Sequence, residues 1–232
     1  VPLTFDDLLT RARRLPRDGR RAILGIAGSP GSGKSTLAAH LVRELNGTGE
    51  PWVAHVPMDG FHLADAELDR LGRRDRKGAP DTFDAAGYAA LLERLREERT
   101  ETDGDIVYAP GFERVLEQPV AGALPVPPAA RLVVTEGNYL LLDSGAWARV
   151  RPRLDEVWFC ALEEKERVRR LVARHERFGK SPADAVAWAL GPDRRNAELV
   201  AATRHRADLV VPADAVTGPP PCAPGPAPST PV

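Results

Sequence analysis

The sequence predicts an α/β fold, a central and mainly parallel sheet with helices on both faces. Three observations predict it. Short aliphatic runs alternate with segments whose apolar residues recur at helical spacing. One strand-to-helix junction carries Gly28-Ser29-Pro30-Gly31-Ser32-Gly33-Lys34-Ser35, an unbroken match to G-x-x-x-x-G-K-[ST]. The length, 232 residues, suits one domain with a substantial core.

In chain order, residues 1–20 read as an amphipathic helix with Phe5, Leu8, Leu9 and Leu15 on its apolar side. The basic residues Arg11, Arg13, Arg14, Arg17, Arg20 and Arg21 are interleaved with Asp6, Asp7 and Asp18, which makes a solvated face rather than a polyanion patch. The run Ala22-Ile23-Leu24-Gly25-Ile26-Ala27 is a buried strand, and residues 36–45 after the glycine-rich loop form a helix. Residues 51–57 read as a second strand, and the polar stretch 69–81 as a mobile loop. Residues 83–99 carry Tyr88, Leu91, Leu92 and Leu95 on one helical face. A short strand at 106–108 precedes a Pro- and Gly-containing turn or hairpin excursion at 119–128. Residues 131–137 and 156–161 are strands, 163–178, 183–190 and 194–204 are helical, and 207–211 supply a last strand. Strands alternating with helices give a parallel sheet covered on both faces. Residues 1–216 are expected to form one domain with a lid at about 165–190, and the Pro-, Ala- and Gly-rich residues 217–232 a disordered tail.

Composition narrows the function classes. A formal net charge of −1 argues against general attraction to nucleic acid or an anionic membrane. No apolar run is long enough to span a bilayer and no signal-peptide core opens the chain, so a cytoplasmic location is expected. Cys160 and Cys222 give neither a disulfide framework nor metal-ligand spacing.

The glycine-rich loop carries specific chemistry. Its glycines allow a tight turn in which successive N–H groups point at a nucleotide β-phosphate, and the helix it opens favours an anion. Gly28, Ser29, Pro30, Gly31, Ser32, Gly33, Lys34, Ser35 and Thr36 are the expected ATP-binding residues. Lys34 reaches the β- and γ-phosphates and the Ser35 hydroxyl holds Mg²⁺. In an open parallel sheet, ligands bind beyond the carboxyl ends of the strands. Two acids end strands there. Glu136 can hold Mg²⁺ or orient a reactant, or else cap the Gly137-Asn138 turn. Asp59 can accept a proton from an acceptor hydroxyl, or else serve the Asp59-Gly60 turn. His62 is a weaker candidate beside a buried, hydrogen-bonded role. Arg170, Arg174 and Arg177 share a helix face and can stabilise a transferring phosphoryl group, with Phe178-Gly179-Lys180 as a hinge; an exposed helix paired to Glu163, Glu164 and Glu166 is the alternative.

Together these residues resemble the P-loop kinases that phosphorylate small-molecule hydroxyls: uridine kinase, phosphoribulokinase, pantothenate kinase and nicotinamide riboside kinase. The likeness runs from about Ile23 to Val211. Met58-Asp59-Gly60-Phe61-His62 looks like the family's aspartate-plus-aromatic segment, in which the aspartate is the base. Lys77-Gly78-Ala79-Pro80-Asp81-Thr82-Phe83-Asp84 resembles an acceptor segment of the pantothenate kinases, and its acid, Asp81 here, contacts the acceptor in the uridine branch. Val107-Tyr108 with Phe112-Glu113-Arg114 is similar to the acceptor-pocket strand, and Glu136-Gly137-Asn138-Tyr139-Leu140-Leu141 to the Glu-Gly segment. The histidine that follows the tyrosine in the uridine branch is absent; Ala109-Pro110-Gly111 stands there.

The resemblance implies a three-layer P-loop NTPase fold with a helical lid and an ATP- and Mg²⁺-dependent kinase. Asp59, Lys34, Arg170 and Arg174 are its implied catalytic residues, and Asp81, Tyr108, Arg114, Glu136 and His62 its substrate-binding residues. Ser35 and Glu136 are its metal ligands. The expected partner is a small-molecule hydroxyl acceptor (nucleoside, sugar or pantothenate-like), with no nucleic acid, no membrane, and a homodimer left open. The alternative is a regulatory NTPase switch without an acceptor.

Overall fold

A computed structural model describes residues 2–17, 19–97 and 104–216. Asp18, Arg99, Cys222 and the tail 217–232 lie outside the described residues. The strands in chain order are β1 (Ala22–Ala27), β2 (Val53–His55), β3 (Val107–Glu113), β4 (Gln118–Val126), β5 (Leu132–Gly137), β6 (Glu156–Ala161) and β7 (Leu209–Pro212). The helices are α1 (Phe5–Arg13), α2 (Lys34–Asn46), α3 (Asp65–Arg70), α4 (Ala85–Glu97), α5 (Glu164–Arg177), α6 (Pro182–Leu190), α7 (Pro192–Ala201) and α8 (Ala213–Val216). The main sheet is parallel throughout, in the order β2-β5-β1-β6-β7, and β3 pairs with β4 as a separate antiparallel hairpin.

Alternating side chains split the core into two layers. Leu24 and Ile26 of β1, Leu132 and Val134 of β5, and Trp158 and Cys160 of β6 face α1, α2 and α8. Ile23, Val133, Val157 and Phe159 face the other way, toward α4 and the hairpin. Helices therefore cover both faces, and β1, buried along its whole length, ends at the glycine-rich loop in the middle of the sheet.

Local expectations differ from the structure where distant partners decide. The first helix stops at Arg13, capped at its start by Thr4 and Asp7. Arg21 is buried rather than on a solvated face; it donates to the carbonyls of Leu95, Pro127 and Ala130. The stretch 69–81 is not a free loop. It consists of short helical turns held by Arg74–Asp65, Lys77–Asp65 and Arg76–Asp81 ion pairs. The short strand at 106–108 extends to Glu113, because the 118–126 segment pairs with it across a bulge at Ala109–Gly111. The second strand shortens to Val53–His55, and it neighbours β5 rather than β1.

Candidate active site

Period-two alternation along β5 decides where its terminal acid points. Leu132 and Val134 face α2, and Glu136 continues that side onto the first turn of α2, where the Ser35 hydroxyl donates to Glu136 Oε1 at 2.8 Å. Glu136 is only 4% exposed. Burial pushes its carboxyl up and the nearby Asp59 charge adds to this, while Lys34 and the Ser35 hydrogen bond oppose it.

The same corner fits a phosphate–Mg²⁺ group. Ser32 Oγ is buried in the loop without a protein partner, a donor that a phosphate oxygen would satisfy. Ser35 and Glu136 place a hydroxyl and a buried carboxylate side by side, the kind of oxygen pair Mg²⁺ uses together with phosphate oxygens and water. Among the described residues no group of three His, Cys, Asp or Glu forms a metal cluster, so the protein alone supplies only part of a coordination shell.

The loop is roofed by the lid helices. A Cβ on Gly31, whose φ is +82°, would stand 2.9 Å from Leu171 Cγ and 3.1 Å from the Arg167 carbonyl of α5. Arg167 is buried; it donates to the Pro30 carbonyl and is held by both oxygens of Glu164. Ser29 Oγ donates to the Ala197 carbonyl of α7. Arg170 is clamped by Glu166 at 2.8 Å, and its guanidinium lies beside Gly33. Arg174, one turn further along α5, opens into the cleft.

Asp59 sits in a single helical turn, Met58–Phe61, immediately beyond β2. Gly60 lets that turn touch the hairpin, since a Cβ there would lie 2.1 Å from the Pro110 carbonyl oxygen. The contact brings Arg114 to Asp59, Nη2 to Oδ2 at 3.3 Å. His62 closes the turn. Its Nδ1 lies 2.8 Å from the Asp59 carbonyl, and its ring packs between Phe83 and Phe112 at centroid distances of 3.9 and 4.9 Å. Burial holds the His62 imidazole below its usual pKa range, so the ring is neutral near pH 7.

These parts meet in one cleft of about 480 Å³ that joins Lys34 and Ser35 to Asp59, His62, Arg114 and Arg174. Of the expected substrate-binding residues, Arg114 and His62 line it, Glu136 sits behind it on Ser35, and two others turn away. The Asp81 carboxylate turns away to Arg73 and Arg76, and Tyr108 is 59% exposed on the outward side of β3. Their neighbours take the places instead: Lys77 and Phe83 from the one segment, Phe112 and Arg114 from the other.

Phe178 and Lys180, read from the sequence as a hinge, line the cleft, and other residues there escaped that reading. His175 and Asp193 form a partly buried pair at 2.7 Å, and Lys180 stacks over Trp188 at 4.3 Å. Asn196 of α7 donates to the Gly78 carbonyl, which also accepts from Tyr139, so α7 and the 77–83 segment share one anchor. Lys77 and Asn138 lay inside segments already singled out; nothing local marks Asp193 or Asn196.

Comparison with known proteins agrees with this architecture. The Phosphoribulokinase / Uridine kinase family model matches residues 23–212, and the chain belongs to that family. A Schizosaccharomyces pombe protein named "Putative uridine kinase C227.14" is 36% identical over 74% of this chain and 74% of its own length. A pantothenate kinase of Leifsonia xyli is 32% identical over 92% of this chain and 70% of its own. Among solved structures, a "putative fructose transport system kinase" from Silicibacter sp. TM1040 is 37% identical, with a TM-score of 0.80 over 90% of this chain and 100% of that one. YFH7 of Saccharomyces cerevisiae, 19% identical, shares the fold with a TM-score of 0.75 over 90% of this chain and 97% of its own.

Proposed function

We propose that this P-loop kinase transfers the γ-phosphoryl group of ATP to a hydroxyl of a small polar metabolite. One observation carries the reading: a single cleft joins the phosphate-loop Lys34 and Ser35 to a strand-end aspartate, Asp59, backed by a second, aromatic-lined end. A nucleotide switch needs no such second end.

The loop amides, Ser32 and Lys34 bind the phosphates, and Arg170 and Arg174 stabilise charge on the transferring group from the lid side. Ser35 and Glu136 hold Mg²⁺, which supplies charge neutralisation when bound. Asp59 accepts the proton of the attacking hydroxyl, with Arg114 fixing one carboxylate oxygen and leaving the other toward the acceptor. His62 and Arg114 line the acceptor end. Uridine and pantothenate, named in kinases similar to this chain, and D-fructose, suggested by the similar "putative fructose transport system kinase", are the first compounds to test. The assay is ADP release with and without each of them, extended to other nucleosides, sugars and amino alcohols. Acceptor-dependent release supports the reading; equal release with every compound and with buffer overturns it.

A further inference from the structure

The turn that closes the hairpin, residues 114–117, holds an unfavourable backbone conformation. Glu117 has a φ of +54°, the one non-glycine residue in the left-handed region among the described residues, where a Cβ is disfavoured. Such a residue persists where its surroundings over-determine it. Here the Glu117 carbonyl accepts from the Lys77 ammonium at 2.5 Å. Lys77, 15% exposed, also pairs with Asp65 Oδ1 at 2.7 Å and lies over the Phe112 ring, 5.5 Å from its centroid. Asp65 is held in turn: Arg74 takes its Oδ2 at 2.8 Å, and its backbone N–H donates to Gln118 Oε1 at 3.1 Å. One cation thus ties α3 and the 77–83 segment to the hairpin turn.

The same turn carries Arg114, whose Nη2 lies 3.3 Å from Asp59 Oδ2. The Arg114 side chain is 50% exposed. Exposed ion pairs contribute little by themselves, so this contact does not hold a long, mobile side chain in one place. Its place depends on the backbone that carries it and on Phe112, over whose ring the guanidinium lies at 5.7 Å. Lys77 touches both supports, the ring directly and the turn at Glu117.

We propose that Lys77 is a positioning residue. By holding the Glu117 carbonyl and the Phe112 ring, it fixes the 114–117 turn so that Arg114 binds Asp59 Oδ2 and leaves Oδ1 for the acceptor proton. The inference rests on the kinase reading for the role of Asp59, but the hold on the turn can be tested without the reaction.

The test removes the ammonium and keeps the stem with Lys77→Met, or with Lys77→Gln should the methionine variant not fold. A nitroxide spin label on Val115→Cys, at a position 90% exposed in the turn, reports the turn's mobility. The background is Cys222→Ser, Cys160 being buried, and a label on the exposed Glu50→Cys is the control. Lys77→Met should mobilise the label at 115 and leave the label at 50 unchanged. In parallel, acceptor-dependent kcat/KM is measured for wild type, Lys77→Met, Arg114→Met and the double variant. Lys77→Met should lower it about 10–100-fold with KM for ATP within about two-fold, and cost less than about two-fold when Arg114 is already gone. Partial unfolding would lower the rate equally in both backgrounds. An unchanged label at 115, equal loosening at both labels, a wild-type rate in Lys77→Met, or losses that multiply in the double variant overturns the inference. A looser label at 115 alone, with no acceptor-dependent ADP release in wild type, upholds the hold on the turn and overturns the kinase reading instead.

Discussion

At the phosphate end of the cleft, consecutive residues 28–35 and the acid of one neighbouring strand make the site. At the acceptor end, side chains arrive from the 58–62 turn, the 77–83 segment, the hairpin, the end of β5 and the lid helices. The phosphate end uses backbone amides and a helix start, which a short run of sequence can specify by itself. The acceptor end uses side chains held by contacts between distant segments, such as Gly60 against Pro110 and Asn196 on Gly78. The first can bind the same nucleotide in many proteins, while the second is free to vary with the substrate.

This contrast predicts different consequences for damage at the two ends. Damage at the phosphate end should be felt by every acceptor alike: Lys34→Ala should lower turnover about 10²–10³-fold, measured as kcat/KM across the panel. A loss that differs between acceptors would mean that Lys34 also reads the acceptor.

Acid should destabilise the fold through partly buried histidines. His55 in β2 is partly buried, its Nε2 is buried without a protein partner, and burial alone lowers its pKa to about 4 from 6.5. The unfolded chain binds this proton more readily than the folded one. Stability is therefore full above about pH 6.5 and falls as pH drops toward about 4, by up to about 3 kcal/mol. The depressed His62 acts in the same direction. Urea unfolding at a series of pH values checks this, and His55→Gln should flatten the slope.

Gly60→Ala should act at the acceptor end alone. The added methyl cannot coexist with the Pro110 carbonyl, so the Asp59 turn and hairpin must separate. A displacement of about 1 Å is enough to lower acceptor-dependent kcat/KM about 10²-fold, with nucleotide affinity unchanged. Parallel loss of nucleotide binding would show that the two ends are not separable.

The smallest effect is expected at the residues that the structure keeps outside the cleft. Tyr108→Phe should leave kinetics within about two-fold, as exposed substitutions usually do. A larger rise in acceptor KM would return Tyr108 to the acceptor pocket.

What was legible in the sequence follows the same division. The buried strands Ala22–Ala27 and Glu156–Ala161 were readable to the residue, because continuous apolar runs between polar breaks have one plausible state. Glu136 was readable because strand parity and the loop after β1 fix its direction. The 69–81 stretch read as a loop because its polar residues satisfy one another through ion pairs that no local pattern reveals. Arg21 read as a surface residue because the carbonyls that bury it come from residues 95, 127 and 130. Asp81 and Tyr108 lay in the right segments but on the wrong side. Side-chain direction there depends on local turns and on the bulge in β3, not on the motif.

The central claim is that the two ends form one reaction site with Asp59 between them. Its most direct test is single-turnover phosphoryl transfer to the best acceptor, comparing wild type with Asp59→Asn at saturating ATP. The account predicts a rate lower by about 10²–10⁴-fold with the nucleotide Kd unchanged. Transfer at the wild-type rate would contradict it.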